Sequence, residues 1–494
     1  MLARKGVYGL LVLGMFFVLS ACGGKTTPSN PPTATPADAS PLPASFSFFQ
    51  QAAIPYQGMV LRGITEHTPP SIYVKEVLAP MFEKLTGIKV DLAYGDLPTI
   101  ERIIVNGGGG HDFVYVEQDL IYGFLAYNDL NDVTQLLAEN PRLQSPDFDP
   151  IDFTSFIDEF RDPVTNDLYG VPIEGFLKVY VYRRDLFEDP TIQAAFADTY
   201  NYPLAPAVTF DQYRDIAAFF TRYGQEHGLK LWGTTVTTSL GHSASFYEFA
   251  ETIAPAFGVY NWGINPDTYR ATAAHGGRLD SDQAKAALAF WLDMLHYAPP
   301  GSVTNTWDDA ALDFAAGRVA QALVYGENIA WIATDPTRSA VTGNVGVALP
   351  PTTPGVIEDA MLGKGYIGYY DGAAFSIPVD SQHVEAALLW LQFLGLPDIQ
   401  PDWAANCTRI VQLSTFDAPE VRALDAEMGG YFGLMKRQGH LFAGAPPFPF
   451  YATVRDTLTP YLDQALVGDL TPSEALDQAA MAVDEALQRA GYGG

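Results

Sequence analysis

Between residues 59 and 116 the sequence alternates strand-like and helix-like segments, and this alternation restricts the fold more than any other feature. Residues 59–64 (Met-Val-Leu-Arg-Gly-Ile) read as a first strand. Residues 74–85 place apolar side chains at 74, 77, 78, 81, 82 and 85, one face of a helix, and Gly87 marks its stop. Pro80 lies inside that stretch and is expected to kink the helix or end its first turn. Residues 89–94 give a second strand, 98–106 a second helix and 112–116 a third strand. Strands joined by helical crossovers predict a parallel sheet with right-handed connections. Later helices carry start signals. Thr209 and Gln212 form a capping box ahead of Tyr213, Ile216, Ala217 and Phe220. Ser281 precedes a stripe of Ala284, Ala287, Leu288, Trp291, Leu292 and Leu295, and Thr471-Pro472-Ser473-Glu474 opens a last helix that ends by Gly491.

At 494 residues the chain is long enough for more than one core, and roughly two to four domains are expected. Its formal net charge of −29 makes nucleic acids and anionic membrane surfaces poor partners, because phosphate binding needs a basic footprint. Two cysteines, Cys22 and Cys407, are too few for a disulfide framework or a Cys-rich zinc site. Cys407 reads as a small buried apolar residue.

The first residues read as an export signal. Arg4 and Lys5 precede an apolar run over 7–19, too short to span a bilayer. The run ends in Leu19-Ser20-Ala21-Cys22, which resembles the lipobox of bacterial lipoproteins. That resemblance implies cleavage after residue 21 and acyl chains on Cys22; two or more chains anchor stably. Residues 23–43 are rich in Thr, Pro, Ser and Ala, so 22–57 is expected to be the lipidated cysteine and a flexible tether. No later segment is long and apolar enough to cross a membrane.

In open parallel sheets, ligands bind beyond the carboxyl ends of the strands. That rule selects Glu66 and His67 after the first strand, Tyr94, Gly95 and Asp96 after the second, and Glu117, Gln118 and Asp119 after the third. These loops are polar and poor in Lys and Arg, which suits a ligand with many hydroxyls or with positive charge.

Several stretches, in order, resemble sugar-type extracellular solute-binding proteins of bacterial ABC importers. They include Tyr169-Gly170-Val171-Pro172, the run Tyr180-Val181-Tyr182-Arg183-Arg184-Asp185-Leu186-Phe187, and Phe82-Glu83-Lys84-Leu85-Thr86-Gly87-Ile88-Lys89-Val90. Asp112-Phe113-Val114, Asn128-Asp129-Leu130-Asn131-Asp132-Val133, Val208-Thr209-Phe210-Asp211, Phe314-Ala315-Ala316-Gly317-Arg318-Val319-Ala320 and Gly346-Val347-Ala348-Leu349-Pro350 agree as well. Residues 466–487 resemble the closing helix. The sequence departs from the family pattern at Phe210, usually Trp, at Gln321, usually Met, and at Tyr369-Tyr370-Asp371-Gly372, where a Gly-Gly ligand loop is common.

The resemblance implies a two-lobed α/β fold of the periplasmic-binding-protein type II, each lobe a mainly parallel sheet flanked by helices, with a ligand cleft between them. It assigns residues 58–171 and 302–350 to lobe one, and 172–301 and 351–494 to lobe two. The first crossing falls near Gly170-Val171-Pro172, which places Ile173, Glu174 and Phe176 on the cleft wall at the hinge. It further implies a lipid-anchored monomer outside the cytoplasm that passes a sugar to permease subunits, without cofactor or metal.

A sugar site needs aromatic planes for C–H faces and carboxylates or amides for hydroxyls. Trp232, Trp262, Trp307, Tyr325, Glu327, Tyr370 and Asp371 are the expected contributors, with Trp291, Trp331 and Trp390 assigned to core. Two other classes stay open. The acidic loops suit a polyamine or another cation. A secreted hydrolase is the other: Gly241-His242-Ser243-Ala244-Ser245 is one residue short of a serine-hydrolase elbow, and fifty-seven acids leave room for a glycosidase pair.

Overall fold

The computed structural model describes residues 44–493. The signal segment, Cys22 and the Thr/Pro-rich stretch lie outside them. The expected tether ends earlier than residue 57. A helix, Ala44–Ala52, carries Phe46 and Phe49, whose rings pack on Phe393 with centroids 6.1 and 5.9 Å apart. Burying these rings offsets the entropy of ordering the segment.

Three parallel strands form where the alternation places them: β1 (Val60–Thr65), β2 (Lys89–Tyr94) and β3 (Phe113–Glu117), in the order β2-β1-β3. The Pro80 effect is visible. The helix Pro69–Tyr73 runs into a π-helical turn, Val74–Leu78, before a regular helix resumes over Ala79–Thr86. Proline has no N–H to give the ladder, and the wide turn absorbs the missing bond. Gly87 ends this helix at φ +76°, a left-handed cap that glycine adopts without strain. The capping boxes at Thr209 and Thr471 and the Ser281 cap are all formed.

One strand, β4 (Gly170–Arg183), organises the rest. Three later strands join it: β5 (Gln321–Tyr325), β6 (Val345–Ala348) and β7 (Tyr370–Ser376). Residues 170–177 of β4 pair antiparallel with β7, which also pairs antiparallel with β3. Residues 178–183 pair antiparallel with β5 and β6. The second group of strands is therefore antiparallel, where a mainly parallel sheet was expected. Trp232 and Gly233 bond the approach to β5, with a single parallel bridge, Trp232 to Val319.

Two cores flank this strand. One gathers Leu61, Phe82, Phe113, Val171, Phe375 and Trp390; the other gathers Phe187, Phe220, Trp262, Trp291, Leu458 and Leu476. Side chains alternate across a strand. So Leu177, Val179 and Val181 of β4 enter the first core and Tyr180 the second. In β5, Ala322 and Val324 likewise face the first core and Leu323 the second. The Gln321 departure has a structural use: its amide oxygen accepts from Tyr180 at 2.6 Å and its nitrogen donates to the Tyr213 carbonyl at 2.8 Å.

The chain's division differs from the expected one at its second half. Residues 351–494 were expected together, but Phe375, Trp390, Trp403 and Phe416 join the core of β1–β3, and only residues from about Ala445 onward join the other. The reason is β7, which inserts between β3 and β4 and carries the following helices back with it.

Candidate functional site

A cavity of about 790 Å³ lies where the two cores meet. The first core contributes the carboxyl ends of β1 and β3, with Glu66, His67, Thr68, Glu117 and Asp119, as the strand-end rule anticipates. Leu97, Pro98 and Glu101 come from the helix after β2. Glu174 and Phe176 come from β4, Asp371 and Gly372 from β7, and Tyr325 and Glu327 from the end of β5. Trp307 and Asp308 start the helix Trp307–Ala315. Tyr247 and Tyr451 approach from the second core. A smaller depression of about 540 Å³, between the helices Pro190–Tyr200 and Phe210–Glu226, is lined by those helices alone.

The cavity has an aromatic lining. Phe176, Tyr325 and Tyr369 form a small buried cluster against which Tyr247 and Trp307 pack. Ring centroids are 5.9 Å apart for Phe176 and Tyr325, 6.3 Å for Tyr325 and Tyr369, and 6.1 Å for Tyr369 and Tyr247. Trp307 meets Tyr325 edge-on at 6.4 Å and Tyr247 at 6.2 Å.

Its rim is acidic. Glu66, Glu101, Glu117, Asp119, Glu174, Asp308, Glu327 and Asp371 face it, against Arg409 and Arg455. Arg409 forks between Glu174 and Glu327, pairing with both, and its guanidinium lies 5.0 Å over the Phe176 ring. Glu174 also accepts from the Tyr115 hydroxyl at 2.8 Å. Burial pulls Arg409 down to about 10 and pushes Glu327 up to about 7, with Asp308 and Glu66 adding to the rise in Glu327. Burial, then the neighbouring carboxylates, hold Glu117 and Asp371 well above the usual carboxylate range. Behind the lining, Lys178 pairs with Glu248 in full burial and lies 4.6 Å from the Tyr325 ring. Among the described residues, no group of three or more His, Cys, Asp and Glu is arranged to hold a metal ion.

Gly372 permits the close approach of β7 to β4. Its φ is +146°, and a Cβ there would sit 2.2 Å from the Glu174 carbonyl oxygen.

Of the residues expected from sequence, Glu66, His67, Glu117, Asp119, Glu174, Phe176, Trp307, Tyr325, Glu327 and Asp371 line the cavity. The others do not. Asp96 caps the helix Leu97–Val105, accepting from the Thr99 N–H at 2.9 Å. Tyr94 is exposed and packs edge-on against His67 at 4.5 Å. Gln118 is buried; its amide donates to the Tyr369 hydroxyl and accepts from the Ala445 N–H, both at 2.6 Å. It therefore supports a lining ring from behind. Trp232 lies under Arg318 at 5.6 Å, away from the cavity lining. Trp262 is in the second core, its indole N–H bonded to Glu251. Tyr370 stacks on Phe156 at 4.7 Å and bonds Thr154 at 2.9 Å. Trp262 and Tyr370 are core residues, and Trp232 is half-buried against the first core. His242 and Ser243 reach the cavity, but no strand precedes them, so the hydrolase-type elbow is not formed.

A cavity between two cores joined by a shared strand, lined by rings and rimmed by polar groups, defines a two-lobed binding protein. The family model for bacterial extracellular solute-binding proteins matches residues 65–401, more than half of the chain. The chain belongs to that family. Solved structures agree in fold. A solute-binding protein of Agrobacterium radiobacter in complex with ribitol is 18% identical, with a TM-score of 0.66, over 87% of this chain and 99% of that one. Maltose-bound MalE3 of T. maritima is 19% identical at 0.66, over 86% and 99%. A Thermotoga lettingae solute-binding protein bound with alpha-D-tagatose is 18% identical at 0.66, over 87% and 100%. Among the described residues, no helix is long and apolar enough to cross a membrane.

Proposed function

We propose that this protein captures a sugar or sugar alcohol in the cavity between its lobes and hands it to the membrane subunits of an ABC importer. The observation that carries this reading is the ring-lined cavity of Phe176, Tyr247, Trp307, Tyr325 and Tyr369 with carboxylates at its edge, the chemistry that sugar C–H faces and hydroxyls require. The ligands of the similar solved structures, ribitol, maltose and tagatose, are of the same class.

The first lobe takes residues 44–176, most of 311–367, and 370–443; the second takes about 184–300 and 445–490, with β4 and β5 lending side chains to both. The core each buried side chain joins supports this division, which keeps most of 302–350 in the first lobe and adds 351–443 to it. The lobes close on the solute, which must bind the closed form better than the open one. The protein is a monomeric receptor rather than an enzyme, exported and held at the membrane by acyl chains on Cys22.

A thermal-shift screen over monosaccharides, disaccharides, oligosaccharides and sugar alcohols tests the ligand class, since a ligand that binds the native state raises its melting temperature. At least one member should stabilise the protein in proportion to its concentration. A panel without effect sinks the reading. Metabolic labelling with a fatty acid tests the anchor: label should reach the wild-type chain and not Cys22→Ser.

A further inference from the structure

The carboxylates of the cavity are unevenly matched. Glu174 and Glu327 share Arg409, and Glu66 also feels its charge. Among the described residues, Glu117, Asp119 and Asp371 make no salt bridge, and neighbouring carboxylates raise Glu117 and Asp371 further. Arg455, whose charge acts on Glu117 and Asp119, is bonded to Asp456 at 2.8 Å and lies over the Tyr451 ring at 5.1 Å. Asp119 is 3% exposed, yet it lines the cavity. Its Oδ2 accepts from Tyr247 at 2.8 Å, while its Oδ1 is buried without any hydrogen-bond partner. A buried anionic oxygen without a donor is costly. A sugar hydroxyl would satisfy that oxygen. A protonated nitrogen would satisfy it too, and would also favour the ionised form of the carboxyls that burial and their neighbours now hold above the usual range.

The rings point to the same place. Lys178 faces Tyr325, Arg409 faces Phe176 and Arg455 faces Tyr451, so each of these rings already has a protein cation on it. Among the described residues, no Lys or Arg lies over Tyr247, Tyr369 or Trp307. Tyr247 holds Asp119, and the Tyr369 hydroxyl, bonded by Gln118 at 2.6 Å, is close enough to Asp371 for the two to act on each other. The cavity-lining rings that carry no protein cation and the carboxylates without a salt bridge are therefore neighbours, an arrangement that favours a cation.

Resting on the sugar-receptor reading above, we propose that the solute carries a protonated nitrogen, as an amino sugar or a polyhydroxylated amine does, seated between Asp119, Asp371 and the rings of Tyr247 and Tyr369.

Calorimetric titration of the full chain with matched pairs tests this. Glucose is compared with glucosamine, cellobiose with the unacetylated chitosan dimer, and sorbitol with N-methylglucamine. Putrescine and spermidine serve as amines without hydroxyls. All are measured at pH 6, where the amines are charged. In at least one pair the amine should bind about tenfold tighter, the scale of a charge-assisted contact. Asp119→Asn should erase most of that difference, and Asp371→Asn serves as the second variant if the first folds poorly. Neutral members that bind as tightly as their amines in every pair overturn this inference and leave the sugar reading standing. A panel in which no amine-bearing sugar binds overturns it as well. Binding of the polyamines with no response to any sugar overturns both.

Discussion

The Tyr247 hydroxyl donates to the Asp119 carboxylate at 2.8 Å, joining the second lobe to the loop after β3 in the first. This contact belongs to the ligand cavity and to the interface between lobes at once. Tyr247→Phe keeps the ring and removes the donor, leaving Asp119 less satisfied. The native state should lose about 1.5–3 kcal/mol, the range for hydrogen bonds to charged groups. Urea unfolding of the ligand-free protein measures it, and an unchanged midpoint would show that the contact contributes nothing.

Among the described residues, Arg409 is the one side chain bonded to both Glu174 and Glu327. Removing it leaves the buried Glu174 and the partly buried Glu327 without their shared cation. Arg409→Met should therefore cost about 3–5 kcal/mol. Arg409→Lys keeps the charge but not the fork, and should fall between wild type and Met. Thermal and denaturant unfolding of the three proteins gives the order directly.

The aromatics divide into two groups that mutation should separate. Trp307 and Tyr325 line the cavity, so Trp307→Ala and Tyr325→Ala should weaken solute binding by about tenfold, or about 1.4 kcal/mol. Trp262 lies in the second core, so Trp262→Ala should destabilise the fold by about 3–5 kcal/mol while the folded fraction binds normally. Calorimetry beside a melting curve distinguishes the two outcomes.

Burial pushes Glu159 up to about 7 from the ordinary 4.5, although the Gly444 N–H bonded to it at 2.8 Å pulls the other way. Glu327 stands at about 7 as well. Between about 4.5 and 7 the native state holds protons that the unfolded chain has released, so stability falls as pH rises through that window. The protein should be more stable at pH 5 than at pH 7.5. Glu159→Gln should reduce the slope by up to about one proton. Urea midpoints across the pH range give the slope, and an opposite sign would count against burial as the cause.

Local rules made part of this structure legible in advance. The strand–helix alternation located β1–β3, and the capping boxes located helix starts, because both depend on nearest neighbours in the chain. The strand-end rule found Glu66, His67 and Glu117. It could not separate Gln118 from its neighbours, since successive residues leave β3 on opposite sides and only the fold says which side is the cavity. Tyr369 and Tyr370 show the same limit: adjacent rings point to opposite sides, and the one chosen from sequence packs on Phe156 instead. Arg409, Tyr247 and Tyr451 were missed for another reason. Each comes from a helix or turn far along the chain, with no motif around it, and only tertiary packing brings them beside Glu174 and Asp119.

The shared strand β4 has a consequence for how the molecule comes apart. Its side chains alternate into two separate cores, and one backbone ladder serves both. Loss of either core strips packing from the strand that the other relies on. Heating should therefore give one calorimetric peak with matching van't Hoff and measured enthalpies, as if a single core were melting.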